Sequence, residues 1–116
     1  MPILPSGARV LQGEEATGEL ADLAWALDTD DAGAIETFDL TLDAGTTIAR
    51  HGHTGPLAAK VVAGRMTIGL DLGEVELSAG DVVGLPARLV HVESVPPDAP
   101  CVLLVARVGP IETFDA

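Results

Sequence analysis

At 116 residues the chain has length for one domain with a real core and not for two. Hydrophobic residues make up 47% of it and aromatics only 3%, so the core has to be assembled from Val, Leu, Ile and Ala. A formal net charge of −12 opposes docking on a nucleic-acid backbone or an anionic membrane surface, and neither partner is expected.

Residues 1–20 read as an N-terminal arm of a single domain spanning 1–116. The opening MPILPSGARVLQGEE has no charged segment leading into a long apolar run, as a signal peptide would, and no apolar stretch approaches the ~20 residues needed to span a bilayer. The single cysteine, Cys101, cannot form an internal disulfide, which fits a reducing compartment. A cytoplasmic location is expected. More than half of the acids lie at or before Asp43, opposed there only by Arg9, whereas residues 50–70 hold Arg50, Lys60 and Arg65 and no acid.

In TGELADLAWALDTDDAG, residues 17–33, Leu20, Leu23, Ala24 and Leu27 match a helical stripe, while Leu23, Trp25 and Leu27 match strict alternation. The turn cluster DTDDAG and the alternating AIETFDLTL that follows favour the second reading, a strand forming a hairpin with the strand of Phe38, Leu40 and Leu42. After the turn at 43–45, TTIARHGH (46–53) is β-branched and strand-like, and TGP breaks it. LAAKVVAG and RMTIGLDLG follow, split by Gly64. Two short strands flank Gly80 in EVELSAGDVVGLP, ARLVHVESV follows, and CVLLVARV (101–108) reads as a buried strand. Turn signals every eight to twelve residues and 13 Gly with 8 Pro point to an all-β sandwich or barrel. Phe38, Met66 and Trp25 are expected in the core. The pentapeptide IETFD occurs twice, at 35–39 and 111–115; nothing flanking the copies matches, so they are read as coincidence.

Two of the only three histidines stand one residue apart, at His51 and His53. On a strand, residues two apart point to the same face, so both can aim at one centre. Neutral imidazole is the commonest protein ligand for zinc, iron, copper and nickel. With His91 brought in by the fold, three nitrogens and an open position would make a catalytic arrangement rather than a closed structural one.

The surroundings of these histidines carry a resemblance. GTTIARHGHTGPLAAKVVAG (45–64) and GDVVGLPARLVHVESV (80–95) resemble the first and second motifs of the cupin superfamily. The resemblance implies a double-stranded β-helix, a jelly-roll barrel with ligands converging inside it, and a homodimer. Three departures matter. The glutamate of the first motif falls at Leu57, the PxG glycine at Arg88 and the terminal asparagine at Val95. What is implied is therefore a three-histidine centre of His51, His53 and His91, as in thiol dioxygenases, holding a divalent transition metal such as Fe(II), Zn, Mn, Ni or Cu.

Glu93, two residues after His91, shares its face on a regular strand and is a candidate fourth ligand, hydrogen-bond partner of a ligand, or general base. Leu57, Ala59 and Val61 should alternate inward and form an apolar pocket wall. Arg88 stands where the motif has glycine, in a turn that can demand an unusual backbone; it is a candidate anchor for an anionic substrate. Cys101 is expected to behave as a small hydrophobe. The expected function is that of a metal-dependent enzyme acting on a small organic, anionic molecule, by dioxygenation, cyclisation or isomerisation, or lyase chemistry. The alternatives are a non-catalytic cupin that senses a small molecule or a metal, and a metal-free barrel whose histidines bind a ligand directly.

Overall fold

The most apolar run of the sequence, CVLLVARV, is central. In the computed structural model, which describes residues 3–116, it forms strand β9 (Cys101–Val108), paired on both sides. On one side lies β2 (Ile35–Leu42), antiparallel in unbroken register from Ile35↔Val108 to Leu42↔Cys101. On the other lies β4 (Leu57–Ala63), followed by β7 (Val82–Leu85) and β1 (Arg9–Leu11). These make one five-stranded sheet, ordered β1-β7-β4-β9-β2. A second sheet is ordered β10-β3-β8-β5-β6, from β3 (Thr47–His53), β5 (Arg65–Leu70), β6 (Gly73–Ser78), β8 (His91–Ser94) and β10 (Thr113–Asp115). All pairings are antiparallel. The architecture is the all-β jelly-roll expected from the sequence.

The space between the sheets is filled by Val61, Met66, Ile68, Leu77, Val83, Leu103, Val105 and Cys101, each packed away from water and contributing the usual burial free energy. The outer face of the first sheet has its own cover, helix α1 (Glu19–Ala26). Leu23, Ala26 and Leu27 pack there on Leu11, Ala58, Val82 and Ala106. The helix approaches β7 so closely that a Cβ on Gly84 would run into the backbone of Ala26; only glycine allows that distance.

Helix α1 overturns the hairpin expected over residues 17–33. The partner of β2 is β9, and the helical stripe through Leu23 and Leu27 is the one that is buried. Asp22 helps to decide this. It is buried, and its carboxylate accepts hydrogen bonds from the Thr17 N–H (3.2 Å), the Thr17 hydroxyl (3.0 Å) and the Gly18 N–H (3.3 Å). It thus ties down the chain entering the helix, a local hydrogen-bonding role in which Asp excels. Trp25 is only half-buried, with the Arg9 guanidinium over its ring at 5.4 Å. Of the residues expected in the core, Met66 is there at 2% exposure, whereas Phe38 on the edge strand β2 is 44% exposed. No helix among the described residues is long and apolar enough to cross a membrane.

Candidate metal centre

Strands β3 and β8 bring the three histidines together. His51 lies directly opposite His91, and Ile48 opposite Glu93. Between those two pairs β3 uses three steps where β8 uses two, so β3 carries a bulge at Ala49–Arg50. The bulge matters because strand faces alternate. Ile48 faces the interior, and without the extra residue His51 and His53 would face out. With it, Ile48, His51, His53, His91 and Glu93 all point inward. Gly52 points outward, under the ring of Phe114, which a Cβ at position 52 would meet at 2.6 Å.

Each histidine is held through Nδ1. His51 Nδ1 lies 2.7 Å from the Ala49 carbonyl and His91 Nδ1 2.9 Å from the Leu89 carbonyl. A carbonyl only accepts, so both rings donate Nδ1–H and, when neutral, carry their lone pair on Nε2. His53 Nδ1 is 3.0 Å from the Thr113 hydroxyl on β10. Such partners fix ring orientation at metal sites. One ligand atom from each ring falls within 4.8 Å of the others, with ring centroids 4.3–5.4 Å apart.

His91 is 1% exposed, and its Nε2 is buried without a hydrogen-bond partner. An orphaned lone pair of this kind costs free energy unless something occupies it. Glu93 adds to the demand: its Oε2 lies 3.6 Å from His51 Nε2, two acceptors facing one another across a gap that a cation or a shared proton satisfies. Burial, then the charges of His91 and His51, lower the His53 pKa to about 4. Burial also lowers that of His91, against the opposing pull of its bond to Leu89. Both are therefore neutral near pH 7, the state that binds a metal ion. Burial holds the Glu93 carboxyl above the usual carboxylate range, with His51 pulling the other way. The donor set fits a divalent transition metal, and the three histidines could hold one.

His51 and His53 open onto a cavity of about 490 Å³ lined also by Leu57, Ala59, Leu103, Val105, Phe38 and Arg107, a size suited to a small organic ligand; His91 lies buried behind them. Leu57 and Ala59 form part of the cavity wall. Val61 lies deeper, at 0% exposure in the inter-sheet core, and does not line the cavity. A cleft of similar volume beside Arg9, Asp28 and Pro86 contains no histidine. Glu93 lines the histidine cavity. Arg88 does not: its side chain is exposed and its guanidinium lies over Phe114 at 5.9 Å. Its backbone has φ 67°, the left-handed conformation that explains a glycine at this motif position, and its N–H donates to the His53 carbonyl at 2.7 Å. Cys101 is fully buried, and burial together with Glu93 raises its thiol pKa, so it is a core residue and not a nucleophile.

Two residues of this region were missed from sequence. Thr113, which positions His53, lies 60 residues away in an exposed three-residue strand. Arg107 was detectable as the one charge in CVLLVARV. The copies of IETFD occupy the outer edges of the two sheets, β2 and β10. They are not structural equivalents: Phe38 lines the cavity while Phe114 lies outside on Gly52.

The family model for the cupin domain matches residues 38–107. The structure is similar to that of a cupin-like protein from Thermotoga maritima (20% identity, 94% of this chain and 75% of that one, TM-score 0.60) and of a cupin superfamily protein from Desulfitobacterium hafniense (13%, 89% and 78%, TM-score 0.57). It is also similar to a chain from crystal structures of DMSP lyases (20%, 71% of this chain and 44% of that one, TM-score 0.63). At these identities the likeness is one of fold. Among curated proteins there is no match.

Proposed function

The chain belongs to the cupin family, and from that premise we propose that it is a metal-dependent enzyme acting on a small organic anion at His51, His53 and His91. The observation that carries this reading is the unpartnered Nε2 of His91, buried at the point where the other two imidazoles converge. A divalent transition metal (Fe(II), Zn, Mn, Ni or Cu) held there would supply Lewis-acid polarisation of a substrate oxygen, or a site for oxygen chemistry.

The remaining roles belong to the chain. Leu57 stands where relatives place a carboxylate, so the centre carries one negative charge fewer and favours an anionic ligand, such as a carboxylate, an enolate or a thiolate. Leu57 and Ala59 keep that side of the cavity apolar. Glu93 sits beside His51, lines the cavity and has its pKa raised by burial, the placement and direction of shift that suit a proton-exchanging carboxyl group. This supports proton-transfer reactions, isomerase, cyclase or lyase in type, ahead of dioxygenation. A lyase is among the proteins of similar fold.

The same reading includes a homodimer and a cytoplasmic location. The uncovered edge of β2, with Phe38 and Leu40 exposed, supports pairing with a second copy. Turnover of carboxylates, diketones and thiols by metal-loaded protein, followed by product analysis and oxygen uptake, tests the enzyme. Loss of turnover in Glu93→Gln with metal retained supports the proton-transfer role. Saturable binding without any turnover contradicts catalysis and leaves the sensing cupin.

A further inference from the structure

The chain has six Lys and Arg against 18 acids, so an unpaired cation is unexpected. Four of the six are paired: Arg9 with Asp28, Arg50 with Asp71, Lys60 with Glu19 and Arg65 with Asp98. Among the described residues, Arg88 and Arg107 form no ion pair. Arg88 is exposed on the outside. Arg107 is half-buried on β9 and lines the histidine cavity. It stands directly across from Leu57, the position of the missing carboxylate, on one side and from Glu36 on the other.

Its guanidinium is stacked on the exposed ring of Phe38, 5.9 Å from the centroid, which orients the plane. Its Nε is buried with no hydrogen-bond partner. A buried, unsatisfied cationic donor is expensive, and the side chain that carries it lines the cavity. The acids lining the same cavity are Glu93 and Asp115. Glu93 lies across from His51 Nε2 at 3.6 Å, Asp115 is exposed on β10, and neither lies within ion-pairing distance of Arg107.

We propose that Arg107 is the substrate-anchoring residue of this cavity and that its ligand is a small carboxylic acid with an apolar body. The two Nη groups, which are not buried and form no ion pair, offer an end-on fork that matches a carboxylate. Phe38, Leu57, Ala59, Leu103 and Val105 take the apolar body. The anchored ligand then reaches toward the histidines with its far end. The proposal rests on the cavity being a ligand site, but not on a metal being bound.

The test is titration of the protein, both metal-free and metal-loaded, with phenylacetate and with the isosteric neutral phenylacetamide. It is followed by the NMR resonance of the Arg107 side-chain Nε–H, identified by its loss in Arg107→Met. Phenylacetate is expected to move that resonance and to bind at least about tenfold tighter than the amide in both forms. Arg107→Met is expected to erase the preference, and Arg107→Lys to restore part of it. Equal affinity for acid and amide in the wild type, or an acid preference that survives in Arg107→Met, overturns the proposal and leaves Arg107 as a packing partner of Phe38. Should the wild type take up no metal yet still prefer the acid through Arg107, the metal reading falls and this one stands.

Discussion

The interior of the sandwich has two unlike halves. Toward β5, β6 and β7 it is filled: Met66, Ile68, Leu77 and Val83 are each 2% exposed. Toward the edge strands β2 and β10 it is open, and the same two sheets set two histidines, a glutamate and an arginine around a cavity, with His91 buried beside them. Strand β4 runs through both, from Leu57 and Ala59 on the cavity wall to Val61 in the core. The filled half spends its side-chain volume on stability. The open half leaves volume unfilled and lets polar atoms go unpaired, a combination that packing alone would remove.

This contrast predicts a separation of effects. The largest expected effect is on metal binding: His91→Ala or His53→Ala should abolish stoichiometric uptake, measured by elemental analysis. His53, half-buried, should do so with little change in melting temperature. Next, Ile68→Ala or Leu77→Ala should lower unfolding free energy by about 2–5 kcal/mol in urea denaturation while leaving metal content intact. If either core variant lost metal in the folded state, the two halves would not be independent. Glu93→Ala should weaken metal affinity by roughly 10–100-fold without abolishing it, as removal of a partner of a ligand does; total loss would make Glu93 itself a ligand. The smallest expected effect is that of Leu57→Ala, which trims the cavity wall. It should cost less than about 2 kcal/mol, below the range for fully buried leucines, and leave metal content unchanged.

The same division explains what the sequence disclosed. Local spacing was enough for HxH, because strand alternation aims His51 and His53 together. The motif glycines Gly45, Gly64 and Gly80 all adopt positive φ, so their spacing marks turns that fix the strands. The bulge at Ala49–Arg50 was not legible, since a register shift depends on the partner strand. Residues 17–33 satisfied both periodicities, and the choice of a helix was made by the outer face of the first sheet, where Ala58, Val82 and Ala106 leave a surface to cover. Phe38 was misjudged for a related reason: alternation reports which side a residue faces, not whether its strand lies at an edge. Arg88 was singled out because it broke a motif, and it proved to matter through its backbone. Arg107 broke only a run of apolar residues, and its significance depends on Leu57 opposite it.

The most direct measurement is the metal content of protein purified without a histidine tag and reconstituted in turn with Fe(II), Zn, Mn, Ni and Cu. The account predicts close to one equivalent per chain for at least one of these metals, lost on substitution of His51 or His91. Less than about a tenth of an equivalent for every metal would contradict it.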